Sequence, residues 1–173
     1  MSALDHVPAN LNYLSPLNFK FTIRKSPHVN FFVQSCNIPG LTVESPNQGN
    51  PFIKIPKTGD HIDFEKLDIS FKVDEKLTNY RELLTWIRGY AFPESHKQYA
   101  DLNANPAYTG LGIYSDISIM VLSSSKNPMY ECVIKDAFPI MLSSLMFDST
   151  TPDVSYITAR ATFSFRDYTL TAV

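Results

Sequence analysis

Residues 58–89 read TGDHIDFEKLDISFKVDEKLTNYRELLTWIRG, and the spacing of the apolar side chains changes part-way along the run. From residue 64 to 73, Leu67, Ile69, Phe71 and Val73 alternate with Asp68, Ser70, Lys72 and Asp74. A period of two puts the first set on one face of an extended chain and the second on the other, which predicts a strand with one side in a core. Beyond Asp74 and Glu75 the pattern turns helical, with Tyr80, Leu83, Leu84 and Ile87 three and four residues apart. Asn79 followed by Glu82 has the form of a capping box and Gly89 is a stop signal, so a short helix is expected over about 78–89. Trp86 falls among Leu83, Leu84, Ile87 and Tyr90. It is therefore expected to anchor that helix on the sheet and not to serve as a stacking platform for a ligand.

Upstream, Leu17, Phe19, Phe21 and Ile23 alternate with polar residues until Ser26-Pro27, and residues 29–36 are aromatic and β-branched up to the stop Ile38-Pro39-Gly40. These predict a strand, a second strand and a turn. Residues 41–60 hold Pro46, Pro51, Pro56, Gly49 and Gly59, with Phe52, Ile53 and Ile55 between them, and read as a long projecting hairpin. Downstream, residues 93–112 are mixed and polar, an expected ordered loop containing Asn105-Pro106. Strand-like runs follow at 113–122, 129–135 and 156–168; the last sets Ile157, Ala159, Ala161, Phe163 and Phe165 against Thr158, Arg160, Thr162, Ser164 and Arg166. Residues 138–147 are apolar without a clean period, and Pro139 argues against a long helix, leaving core strand or turn. Six or more short strands, one helix and no βαβ alternation predict a mainly β chain, an antiparallel sandwich or barrel with the helix packed on it.

A length of 173 residues suits one domain, 1–173, with a core of its own. The chain is 44% hydrophobic and only 18% charged, so part of its surface is expected to meet a partner. Fifteen basic and 17 acidic residues give a net charge of −2 without a run of either sign, which leaves no electrostatic footprint for gripping nucleic acid. Cys36 and Cys132 lie far apart with no metal-ligand spacing, which suits a reducing compartment. The opening MSALDHVPANLNYL is not read as an export signal, and no apolar stretch approaches the ~20 residues a membrane-spanning helix needs.

Asp60, His61, Asp63 and Glu65 are the densest set of oxygen and imidazole donors, but no second His or Cys stands nearby, so solvated loop is favoured over a metal site. His6, His28 and His96 are equally isolated. There is no nucleophile motif, and six glycines supply no phosphate-binding loop. No catalytic residue, metal or cofactor is expected.

Two stretches carry a family resemblance: residues 18–40, NFKFTIRKSPHVNFFVQSCNIPG, and residues 58–89 quoted above. They resemble T4-like phage tail tube proteins, in which a strand pair ends in a Pro-Gly turn, a long hairpin follows, and a strand leads through an Asp-Glu pair into a short helix bearing a tryptophan. The resemblance implies a β-sandwich whose copies close six to a ring, with rings stacked into a hollow conduit through which DNA passes unbound. It implies that the hairpin at about 41–60 bridges rings through Pro46, Asn47, Pro51, Phe52, Ile53 and Pro56. Sheath, baseplate and tail-terminator proteins are the implied partners, and the virion tail, assembled in the host cytoplasm, the implied location. The baseplate protein that initiates the tube and the secretion-system tube subunits share the pattern. Arg160 and Arg166 on the polar face of the last strand bear on a DNA conduit, and alternation alone does not assign a lumen face. The rival class is a β-sandwich ligand-binding module such as a lectin, with the aromatics and the Asp60–Glu65 cluster as its site.

Overall fold

The computed structural model describes residues 13–91, 94–104, 112–150 and 156–173. Residues 1–12 of the N-terminal stretch read for an export signal, with His6 among them, and Asn105-Pro106 lie outside the described residues. In chain order the elements are β1 (Phe19–Ile23), α1 (Pro27–Asn30), β2 (Val33–Cys36), β3 (Leu41–Val43), β4 (Asn47–Gln48), β5 (Ile55–Pro56), β6 (Ile62–Phe64) and β7 (Leu67–Lys72). Then come α2 (Thr78–Ala91), α3 (His96–Ala104), β8 (Ser115–Leu122), β9 (Pro128–Leu142), β10 (Thr158–Ser164) and β11 (Asp167–Ala172). Among the described residues no helix is long and apolar enough to cross a membrane.

The architecture follows from one long bent strand pair. β10 and β11 run antiparallel along the same edge of β9, β11 against residues 130–135 and β10 against residues 138–142. Inward-facing residues of β9 are Cys132 and Ile134 before the bend, then Ala137 and Pro139 after it. In the partner they are Ala159, Ala161 and Phe163, then Tyr168 opposite Ile134. Both strands therefore shift phase at the same level. Asp136 takes a left-handed backbone (φ 54°), Arg166 Nη1 meets its carboxylate at 3.0 Å, and the Arg166 amide donates to Lys135 O at 3.2 Å. A non-glycine residue at positive φ is uncommon, and here it turns the strand from one sheet into the other.

On one side of the bend β8 and β1 extend the sheet, giving β1-β8-β9-β11; on the other β7 and β2 do, giving β9-β10-β7-β2. The inward faces meet in one core of Phe21, Ile23, Ile117, Ile119, Cys132 and Ile134 from the first sheet with Leu67, Ile69, Phe71, Ala159, Ala161 and Phe163 from the second. Each large member contributes roughly 1.5–3 kcal/mol by leaving water. The described strands form a sandwich and no closed barrel.

Several boundaries differ from those the sequence suggests. The 29–36 strand begins as helix: Pro27 sits at the start of α1, where a missing amide costs nothing and the ring presets φ, and only Val33–Cys36 pair as strand. The single expected helix has two companions, α1 and α3. α3 lies inside the stretch expected to be loop, and Leu102 seats it on α2 so tightly that a Cβ on Gly89 would meet Leu102 at 3.0 Å. The capping box does not form. Asn79 instead reaches back, its Oδ1 accepting from the Asp74 and Tyr80 amides and its Nδ2 donating to Lys72 O at 2.8 Å, while Glu82 pairs with His28. The 156–168 run splits into β10 and β11 at the bend, and the 64–73 run into β6 and β7. Residues 138–142 complete β9.

β8 pairs with β9 only as far as Ala137, so residues 138–142 of β9 have an uncovered edge, where a proline is tolerated because no ladder bond is lost. Helix α2 covers that edge. The Tyr90 hydroxyl donates to Pro139 O at 2.6 Å and the Tyr80 hydroxyl to Ser143 O at 3.0 Å, and burial pushes the Tyr90 pKa up. Tyr90→Phe removes the donor and leaves a carbonyl unpaired, a loss of about 1 kcal/mol. Urea unfolding is expected to show a lower midpoint with unchanged slope.

Candidate assembly interface

The segment between β2 and β7 leaves the sandwich as a two-stranded ribbon in two short ladders. β3 pairs with β6 (Leu41↔Phe64, Thr42↔Asp63, Val43↔Ile62) and β4 with β5 (Asn47↔Pro56, Gln48↔Ile55). Its extent is therefore 41–64, slightly longer than the expected 41–60. Between the ladders the strands are joined by Lys57 N to Pro46 O (2.9 Å) and Gly59 N to Glu44 O (2.8 Å). A Cβ on Gly59 would stand 2.2 Å from Glu44 O, so this crossing tolerates no side chain.

Register places Leu41, Val43, Ile62 and Phe64 on one face and Thr42 and Asp63 on the other. At the base, Phe64 packs on Phe165 and Tyr168, each ring 5.7 Å away, and Glu65 N donates to Gly40 O at 2.9 Å. Farther out the apolar face is bare: Leu41, Val43 and Ile62 are about half exposed, and at the tip Phe52 is 92% exposed. Pro46, Asn47, Pro51, Phe52, Ile53 and Pro56 all lie along this exposed arm. A two-stranded hairpin alone is marginal in water, so an amphipathic one with a bare apolar face is built to be covered. Leu41, Val43 and Ile62 were absent from the sequence-level set, although the alternation of Leu41 with Val43 carries the signal.

The Asp60–Glu65 group does not converge. Asp60 and His61 are exposed and 3.8 Å apart, Asp63 sits opposite Thr42 on the ribbon, and the Glu65 carboxylate accepts from Gly40 N at the base. Among the described residues no three His, Cys, Asp or Glu side chains gather as a ligand set.

The outward faces of both sheets are hydroxyl-rich with mixed charge. One carries Lys20, Thr22, Ser118, Glu131, Lys135, Asp167, Thr169 and Thr171; the other carries Asp68, Ser70, Lys72, Thr158, Arg160, Thr162 and Ser164. Thr162 Oγ1 donates to Asp68 at 2.5 Å across the second face, and Arg166 is engaged with Asp136. Neither face has the basic stripe that would grip phosphates.

No protein-family model matches the chain, and no curated protein does. Solved structures do. A chain of the anti-feeding prophage tube-terminating cap aligns over 100% of both proteins at 14% identity, TM-score 0.59. A chain of an extracellular contractile injection system, the PVC sheath–tube complex in the extended state, covers 100% of this chain and 99% of its own at 14% identity, TM-score 0.57. A chain of the PVC sheath/tube terminator covers 94% and 100% at 13% identity, TM-score 0.60. The chain shares the fold of these chains from tube, sheath and terminator assemblies.

Within this fold Trp86 is 2% exposed. Its Nε1 donates to Ile113 O at 2.7 Å, its ring lies 6.1 Å from Phe163, and the Lys25 ammonium sits 5.2 Å above it while donating to Gly112 O. Indole, lysine and α2 thus close one end of the sandwich. Trp86→Ala is expected to cost roughly 3–5 kcal/mol, measured by denaturant melts of an assembly-blocked chain so that mass action does not enter. An unmoved midpoint would mean that Trp86 serves an interface between copies.

Lys25 was not singled out by sequence, since nothing in KSP announces a buried amine. Burial lowers its pKa from 10.5 to about 8. Between those values the unfolded chain holds a proton that the folded chain has lost, so the Lys25 contribution to stability rises with pH across the window. Cys36, raised to about 11 by burial and then by Cys132, titrates alike in parent and variant and cancels. The unfolding free energy of the parent relative to Lys25→Met is expected to grow between about pH 8 and pH 10.5. A flat difference would contradict the burial argument.

Proposed function

We propose that this chain is a structural subunit of a phage-type tail tube, acting by assembly and not by catalysis. Its copies close six to a ring, rings stack into a hollow conduit, and DNA passes through without specific binding. The observation that carries this reading is the ribbon: on a fold shared with chains of tube and terminator assemblies, residues 41–64 project with a bare apolar face that the chain's own sandwich does not cover. Apolar surface of this kind is stabilised only by a partner, and a second copy is always present at the concentration of the first.

Two further features support it. The outer edges of β1, β2 and β11 have no partner strand among the described residues, and ring closure would pair or cover such edges. The outward sheet faces, rich in Ser and Thr with both charge signs, suit a lumen that must release its cargo. Sheath, baseplate and terminator proteins are the partners, and the virion tail, assembled in the host cytoplasm, is the location.

Negative-stain microscopy of concentrated protein tests the proposal: stacked sixfold rings are expected, and single subunits under all conditions of salt and concentration would overturn it. Rings that never stack would mark an initiator or cap in place of the main tube subunit. Deleting residues 47–57 is expected to leave the β circular dichroism signal intact and to abolish stacking. Loss of the signal would put the segment in the core, and normal tubes would show that it bridges nothing.

A further inference from the structure

The sandwich is open at one end. In the first sheet Ile119, Cys132 and Leu170 form one cross-strand row, and Val121, Tyr130 and Ala172 the next. Ile119 and Cys132 are fully buried, yet Leu170, in the same row and on the same inward face, is 54% exposed. The hydrophobic face thus runs on past the end of the core. Leu170, Val121 and Tyr130, with Leu14, Ile38 and Met129, line a largely apolar groove of about 750 Å³, and Ser15, Ser123 and Ser124 stand among the remaining lining residues. A core-facing row left bare in a chain this poor in charge calls for an apolar plug.

We propose that this groove receives the Phe52-Ile53 tip of the ribbon of another copy, which makes it the socket of the stacking contact. This rests on the stacking reading and adds the surface on which the arm lands. Three observations lead to it. The tip is apolar, with Phe52 92% and Ile53 65% exposed, and the groove is concave and lined mainly by apolar side chains, with Ser15, Ser123 and Ser124 among them, so the apolar part of the groove suits the tip. Ile38, in the groove wall, lies just before Leu41 at the ribbon base, so groove and tip sit at opposite ends of one arm.

The arm's reach completes the geometry. At ~3.3 Å per residue the chain from Leu41 to Phe52 spans at most ~36 Å. The base is held by Phe64 against Phe165 and Tyr168, so the tip stands away from its own groove and meets that of a copy displaced along the arm. Tip and socket are different surfaces on the same chain, so the contact is heterologous: each copy offers one tip and one groove, and the contact repeats without limit. That is the geometry of stacking. A self-complementary patch would stop at a pair.

Cysteine cross-linking tests this. A chain carrying Phe52→Cys and Leu170→Cys, mildly oxidised after assembly, is expected to give a ladder of covalent oligomers on a non-reducing gel. The two single variants, purified apart and mixed, are expected to give dimers only, and the parent with its native Cys36 and Cys132 neither. Tyr130→Cys replaces Leu170→Cys should the latter lose its circular dichroism signal. Stacked rings without a ladder overturn the socket and leave the stacking reading intact; a parent that never stacks overturns both. A bridge closed within one chain, or a ladder that forms only after residues 1–12 are removed, assigns the groove to the chain's own segments and overturns the proposal.

Discussion

Every other feature of this molecule depends on the bend that β9 and its partner β10–β11 make together. A sandwich needs two sheets whose apolar faces meet, and here the same two strands supply part of both. The turn is made by one residue at positive φ, Asp136, and held by Arg166, whose guanidinium meets the Asp136 carboxylate and whose amide bonds the strand opposite. The exposed ion pair itself is worth little. What matters is the phase shift that accompanies it. Without the shift, Ala137 and Pro139 would point away from the core that Cys132 and Ile134 face, and β10 would turn Ala159, Ala161 and Phe163 outward.

Most of the strand-like runs, the strand leading into α2, the projecting hairpin and the burial of Trp86 among Leu83 and its neighbours were legible because each rests on a local period or a local stop signal. What was lost is non-local. α3 escaped because its nine residues, HKQYADLNA, offer only Tyr99 and Leu102 as large apolar groups, and its stability comes from Leu102 against Gly89 on another helix. The false capping box at Asn79 arose because the backbone of β7 competes for the same amide side chain and wins. The split of the last strand is written in the sequence, since inward positions pass from odd (159, 161, 163) to even (168, 170). A phase change reads as lost periodicity until the partner strand is known to change with it. The missing period at 138–147 is the other half of that signature.

The candidate surface was legible in part for a related reason. Phe52 and Ile53 stand out between prolines, whereas Leu41, Val43 and Ile62 look like any half-buried strand. Their exposure becomes visible only once the ribbon is seen to leave the sheet. The groove was invisible, because Val121, Tyr130 and Leu170 carry the pattern of core residues, and periodicity cannot report that the opposing layer ends before they do.

These two incomplete surfaces bear on how such a subunit stays soluble until it assembles. A bare apolar arm and an open apolar groove each invite misassociation, and a net charge of −2 gives little repulsion against it. Separation is the protection the fold offers: the arm holds its tip away from the chain's own groove, so satisfying either surface takes a second copy in one orientation. The uncovered strand edges face the same hazard by another route, because an unpaired ladder accepts any strand. The edge of β9 next to the core is guarded by Tyr80 and Tyr90, and Asn30 bonds Ile23 N and O of β1, while the edges of β1, β2 and β11 have no partner strand among the described residues. Had every edge been covered from within, the copies could meet only through side chains. Leaving these edges without a partner strand keeps backbone pairing between copies to the flanks of the sandwich, and the arm remains to fix the direction in which layers follow one another.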